Sequence, residues 1–180
     1  MQLLTGTNEI VTGLWNTVAG GNSTVSSPGT CVGCFWPNEY PERAFDRTAV
    51  RYINYGACGR SVSLLSCGEN TGLHLTLRRG SSLLVYVVII ASMTVPERDA
   101  LTITIEGSNE RSSSLFLGSS WTLIYNGPTG LLINPGRNQS GQVINMTGNT
   151  VWYSSYRILT ITKRGNSDSA QFGEIELYGY

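Results

Sequence analysis

Two stretches near the end of the chain constrain its fold more than any other feature. Tyr156-Arg157-Ile158-Leu159-Thr160-Ile161-Thr162-Lys163 and Phe172-Gly173-Glu174-Ile175-Glu176-Leu177-Tyr178 alternate apolar and polar residues, and Gly165-Asn166-Ser167-Asp168-Ser169 separates them. In a strand successive side chains point to opposite faces, so this period predicts two paired strands, each with one buried and one wet face. Thr, Ile, Val and Tyr are plentiful elsewhere, helix formers are scarce, and only 13% of residues are charged. Such a composition favours strands joined by turns. A length of 180 residues suits one domain with a sizeable core.

Charge and hydropathy argue against a nucleic-acid partner and against a membrane-spanning segment. Twelve basic and twelve acidic residues are spread along the chain, leaving no basic stripe for a phosphate backbone, so nucleic acid is not an expected partner. The longest apolar run, Leu83 to Ala91, is half a membrane span and reads as a strand buried on both faces. The start, Met1-Gln2-Leu3-Leu4-Thr5, lacks the basic end and apolar core of a signal peptide, which fits a processed or excised piece. Sequons at Asn22, Asn138 and Asn145, together with four cysteines, suit an extracellular or cell-surface protein.

Cys31 and Cys34 form a Cys-x-x-Cys pair, while Cys58 and Cys67 lie nine positions apart. Zinc would want a second close pair of ligands, and a redox motif would want a helix N-terminus where the chain has Pro28-Gly29 and Trp36-Pro37. Disulfides are the expected state. Three connectivities are open, with local pairing closing a short loop and crossed pairing tying the N-terminal arm to the rest. No nucleophile elbow, His-Glu-x-x-His or Walker loop is present, and the single histidine, His74, falls on the polar face of Leu73-His74-Leu75 as a surface residue. Glu174 and Glu176 share one strand face with nothing else convergent, so the chain reads as a binding module rather than an enzyme.

The order of several motifs is similar to that of the galactose-binding-like β-sandwich superfamily, which holds the coagulation-factor type C or discoidin domains and related carbohydrate-binding modules. They are Ala44-Phe45-Asp46, then Arg51-Tyr52-Ile53-Asn54-Tyr55-Gly56, then Arg98-Asp99-Ala100 to Gly107-Ser108-Asn109. Trp121 to Gly127, Tyr153 to Arg157 and the terminal strand opening on Glu174 complete the series. The resemblance covers about Tyr40 to Tyr180 and implies a jelly-roll sandwich of about eight antiparallel strands. A core of residues 40–180 would then follow an irregular arm, 1–39, with one strand at Glu9 to Trp15. Trp121, Tyr153 and Tyr156 are expected as packing residues.

The resemblance also implies a structural calcium held by Asp46 and Glu174, with backbone oxygens near Arg43 and Thr48 completing an oxygen shell. The turn Arg47-Thr48-Ala49-Val50 departs from the family pattern: it is one residue shorter, Val50 offers no side-chain ligand, and Arg47 adds positive charge. Ligands in this superfamily bind loops at one end of the sandwich. A glycan or glycoprotein is the expected partner, because sugars need an aromatic surface beside amide, Arg or carboxylate groups. Trp36, Asn38, Glu39 and Tyr40 supply that mixture, and Arg78 and Arg79 form a second candidate turn. Arg137 resembles an arginine that often follows the family's penultimate loop. Membrane phospholipid, met by apolar tips such as Trp36 and Leu131-Leu132, or a protein adhesion partner is the alternative. A structural domain without a small ligand is the remaining one.

Overall fold

A computed structural model of the protein describes residues 1–48 and 50–180. Its strands in chain order are β1 (Gln2–Leu3), β2 (Ile10–Trp15), β3 (Thr24–Val25), β4 (Ser27–Pro28), β5 (Cys34–Phe35), β6 (Tyr52–Asn54) and β7 (Gly72–Thr76). They continue with β8 (Leu84–Ile90), β9 (Ala100–Ser108), β10 (Thr122–Pro128), β11 (Ile144–Asn145), β12 (Ser155–Lys163), β13 (Ala170–Phe172) and β14 (Glu174–Gly179). Two main sheets face each other, one ordered β1-β14-β8-β11 and the other β10-β9-β12-β7-β2-β3. Every ladder is antiparallel except the short β4–β5 pair, and the helical segments among the described residues are single 3-10 turns. This is the expected all-β sandwich.

Alternation builds the core between the sheets. Leu73 and Leu75, Ile103 and Ile105, and Tyr156 and Ile158 point inward from the larger sheet against Val87, Ile89, Ile175 and Leu177 of the smaller one. The two C-terminal strands do not pair with each other. β12 sits between β9 and β7, whereas β14 pairs with β8 and β1 in the opposite sheet. A strand whose neighbours lie on both sides has no edge left for its sequence successor, so the Gly165–Ser169 loop crosses between sheets.

The outer face of β12 is not wet either. Thr12, His74, Arg157 and Glu106 align in a row across β2, β7, β12 and β9, and the segment around Gly20–Ser23 lies over it with Trp121. Arg157 and Glu106 are 0% and 1% exposed and form a bidentate pair at 2.6 and 3.0 Å. A buried charge pair needs its remaining donors matched. The arm supplies them: Arg157 donates to Gly21 O and Ser23 Oγ, each at 2.9 Å, and Gly20 N–H donates to Glu106 at 2.7 Å. His74, expected at the surface, is buried between Phe116 and Trp121, and burial beside Arg157 pulls its pKa down to about 4. Lys163, also on the predicted polar face, is buried because its ammonium donates to the carbonyls of Leu64 and Ser167.

Residues 1–39 are irregular between short strands, yet they are built into both sheets. β1 borders the last strand, and β2, close to the expected Glu9–Trp15, pairs with β7. Asn54, fully buried, anchors the following segment through Leu14 O at 3.2 Å and Ser26 Oγ at 2.7 Å. β8 has one buried face; Val85, Tyr86, Val88 and Ile90 are half-buried, and Tyr86 stacks on Tyr178 at 4.6 Å on the outer face. The run was continuous in sequence because its outer side chains are apolar, although among the described residues no second layer buries them.

Candidate functional site

Local pairing of the cysteines shapes one end of the sandwich. Cys31 is bonded to Cys34 and Cys58 to Cys67. Between the first pair, Gly33 takes φ +75, and a Cβ there would stand 2.3 Å from the Trp15 ring, so only glycine permits this turn. Its N–H donates to Gly56 O at 2.7 Å, Tyr55 N–H donates to Cys34 O at 3.0 Å, and Arg60 N–H donates to Thr30 O at 3.1 Å. The end of the arm is thereby fixed against the loop that the second disulfide closes.

The strand period does the next step. Tyr52 and Asn54 of β6 turn inward, so Arg51, Ile53 and Tyr55 line the opposite side, where they meet Trp36 and Glu39. Arg51 pairs with Glu39 at 3.0 Å and also donates to Thr94 Oγ1. Arg98 enters from the 3-10 turn Pro96–Arg98, donating to Ser167 Oγ at 3.0 Å and pairing with Asp168 at 2.8 Å. The residue before that turn, Val95, has φ +53, an uncommon conformation for a β-branched side chain, and Gln171 holds its carbonyl at 2.8 Å. Arg60 covers the Trp36 ring, its guanidinium carbon 4.2 Å from the centroid.

The result is a polar cleft of about 200 Å³ with an aromatic wall, two ion pairs and a phenol. Burial raises the pKa of Glu39, against the opposing pull of Arg51 and Arg98, and it also raises that of Tyr55. The cleft is therefore a set of oriented donors and acceptors, suited to hydroxyl or anionic groups. Four larger cavities lie elsewhere among the described residues. One of about 540 Å³ runs over the outer face of the larger sheet beside His74, one of about 410 Å³ lies beside Glu174, and two of about 310 and 240 Å³ lie beside Tyr153 and Ile133. None joins an aromatic face to paired charges drawn from several loops, which is why the smaller cleft is the candidate site.

Of the residues predicted to bind, Trp36 and Glu39 line this cleft. Asn38 is exposed and Tyr40 carries Arg43 over its ring at 4.7 Å; neither lines it. Arg78 and Arg79 follow the Thr76 end of β7, which pairs with Ser155, whereas the cleft belongs to the Gly72 and Ala100 end. They sit at the other end of the sandwich, Arg78 donating to the Asn8 carbonyl. Arg51, Tyr55, Arg98 and Asp168 were visible only as members of strand and turn motifs. The period of Arg51-x-Ile53-x-Tyr55 was a usable signal, but nothing in sequence joins Arg98 to Asp168. Arg137 is taken up in structure: it pairs with buried Asp99 at 2.8 and 3.3 Å. Leu131 is 2% exposed and belongs to the core, while Leu132 and Ile133 are 54% and 79% exposed. Asn22, Asn138 and Asn145 are all exposed.

Asp46 and Glu174 lie near each other on either side of the Arg47 backbone; Ala49 of the same turn lies outside the described residues. The oxygens face hydrogen donors rather than an open shell. Arg43 holds Asp46 Oδ2 at 3.0 Å, Thr48 donates to Oδ1 from its N–H at 2.9 Å and its hydroxyl at 2.6 Å, and Arg47 N–H donates to Glu174 at 3.0 Å. Among the described residues no three His, Cys, Asp or Glu side chains are grouped to hold a metal. Calcium needs six to eight oxygen ligands, so this arrangement does not fit the ion without displacing Arg43. Burial, with smaller repulsion from Asp46 and Glu176, pushes the pKa of Glu174 up to about 8.

No family model and no curated protein sequence matches this chain. Solved structures do. A family 32 carbohydrate-binding module from C. perfringens NanJ, in complex with galactose, aligns over 97% of this chain and 96% of its own, with a TM-score of 0.61 at 10% identity. The fold is that of the galactose-binding-like β-sandwich. The third such module of a family 31 glycoside hydrolase from Clostridium perfringens aligns over 81% of this chain and 86% of its own, at 0.60 and 17% identity. A fucolectin from striped bass (Morone saxatilis) serum covers the whole chain and half of its own, at 0.58 and 12%. The alignments that cover 97% and 100% of the chain take in residues from the 1–39 segment, in keeping with the place of β1 and β2 in the sheets.

Proposed function

We propose that the protein is a non-catalytic module that binds a glycan in the cleft between Trp36, Tyr55 and the Arg51–Glu39 and Arg98–Asp168 pairs. The observation that carries this reading is the convergence of those groups from four separate segments at one end of the sandwich. Their donors and acceptors are held in place by each other and match the hydroxyls of a sugar. The fold it shares with carbohydrate-binding modules supports the same conclusion as analogy. Pockets for drug-sized ligands span about 300–1,000 Å³, so this smaller cleft suits a terminal sugar unit rather than an internal stretch of polymer. Two disulfides support an oxidising, extracellular setting.

A second reading has its own observation: the exposed Leu132 and Ile133 form an apolar loop tip on the same end, beside Arg164, which donates to the carbonyls of Leu131 and Leu132. Such a tip suits a phospholipid surface. A glycan array run beside liposome sedimentation separates the two. Glycan binding weakened at least tenfold by Glu39→Gln, with no liposome binding, is the expected result. Binding to liposomes alone, lost in Ile133→Ser, would transfer the assignment to lipid.

Calcium enters this reading as an exchange. We propose a weak site at Asp46 and Glu174, filled only when the ion is abundant enough to displace Arg43, with a dissociation constant in the range of about 10⁻⁴–10⁻³ M typical of extracellular modules.

A further inference from the structure

The charges in the cleft do not cancel, and the surplus sits where a neutral sugar would want apolar surface. Arg51 is committed to Glu39 and Thr94, and Arg98 to Asp168 and Ser167. Arg60 makes no ion pair or side-chain hydrogen bond among the described residues; its exposed guanidinium lies on Trp36 at 4.2 Å. Two consequences follow. The ring face against which a pyranose would stack is already covered by a cation–π contact. The covering group still presents its N–H fork, a geometry that matches carboxylate and sulfate oxygens and is weakly hydrated enough to give up water to them. The Cys58–Cys67 bridge and the Arg60 N–H bond to Thr30 O at 3.1 Å keep the backbone of this residue in place, so the guanidinium is presented rather than trailing in solvent.

We infer that the glycan recognised by this cleft carries an anionic group, a sugar carboxylate or a sulfate ester, and that Arg60 seated on Trp36 is the residue that reads it. The inference rests on the glycan reading and narrows it from sugars in general to acidic ones. The sugar ring lies over the two ion pairs, which meet its hydroxyls, while the anion meets Arg60. A neutral ligand leaves the Arg60 fork solvated and gains nothing from it.

The test is titration calorimetry of the whole chain with 3′-sialyllactose, 3′-sulfolactose and trigalacturonate, each against its neutral parent, lactose or galactotriose. At least one anionic ligand is expected to bind tenfold or more tighter than its parent in dilute buffer, and which one does so distinguishes carboxylate from sulfate. That advantage should shrink severalfold between 50 and 500 mM salt, because the contact is partly exposed and screened. Arg60→Gln, a surface change that keeps a hydrogen-bonding side chain, should close the gap between the anionic ligand and its parent; Arg60→Lys should retain part of it. Neutral parents bound as tightly as the anionic ligands would overturn this inference and leave the glycan reading intact. An anionic preference that survives Arg60→Gln would remove Arg60 from the role. Silence toward all five sugars, for a chain whose melting curve shows it folded, would sink both.

Discussion

Replacing Glu106 by Gln should be among the most damaging single changes of near-constant volume in this chain. Glu106 and Arg157 are 1% and 0% exposed, joined by bonds of 2.6 and 3.0 Å. Glutamine keeps the shape and one acceptor but leaves the guanidinium buried without a counter-charge. Breaking a buried pair from one side costs about 3–5 kcal/mol. Since the amide oxygen can still accept from Gly20 N–H or Arg157, about 3 kcal/mol is the expected loss. For a domain of this size 1 kcal/mol corresponds to about 2–4 °C, so melting should fall by about 6–12 °C. Urea unfolding followed by tryptophan fluorescence measures the free energy directly. Removing both charges, in Glu106→Gln with Arg157→Met, should cost less than the sum of the two single changes, since no uncompensated charge remains. Limited proteolysis should also cut the single variant faster near Gly20–Gly21, where one amide oxygen is now shared between Gly20 N–H and Arg157. A loss below about 0.5 kcal/mol, with strictly additive singles, would refute the claim that this pair pins the arm to the sheet.

Three further outcomes can be checked. His74 has a folded pKa of about 4 against an ordinary 6.5, so its contribution is present above pH 6.5 and is lost as pH falls toward 4. Glu174, raised to about 8, has the opposite sign: its contribution is full below about 4.5 and is lost as pH rises through 8, so the wild type minus His74→Gln and minus Glu174→Gln curves should slope in opposite directions. If either difference curve is flat, the environment assigned to that residue is wrong. Chelator should leave the melting temperature unchanged from micromolar calcium, while millimolar calcium raises it, and Arg43→Ala should tighten the ion by freeing Asp46; the proposal fails if the calcium response is lost in that variant. Excising residues 1–39 should abolish cooperative unfolding, because it strips β2 and β3 from beside β7 and β1 from beside β14 and takes Trp36 out of the cleft; a truncated chain melting like the whole one would show that the sandwich closes without it.

Much of the fold was legible because strand periodicity is a local property. Alternation marked β12 and β14 and separated inward from outward residues, and the order of motifs marked β9 and led to the sandwich. Local signals say which face a side chain occupies, but not what lies over that face. His74, Arg157 and Lys163 were placed on polar faces correctly in register and wrongly in environment, because residues 16–24 and the loops near Leu64 and Ser167 return from elsewhere to cover them. Pairing across sheets is likewise decided globally: β12 and β14 follow each other in sequence, yet each finds better partners in a different sheet.

The site divides along the same line. Trp36 and Glu39 could be named from sequence because one short segment holds an aromatic beside a carboxylate, and the period of Arg51, Ile53 and Tyr55 lies within five residues. By contrast, Arg98 and Asp168 are separated by the whole of β9 to β12, and no local rule brings them together. Sequence by itself determined the class of fold, the strand faces and the aromatic half of the cleft, all of which depend on neighbours within a few positions. Tertiary structure alone decided which arginines of the cleft are spent on partners and which one, among the described residues, is left without an ion pair, because a charge balance inside a cleft is a sum over groups that the chain brings together only when it folds.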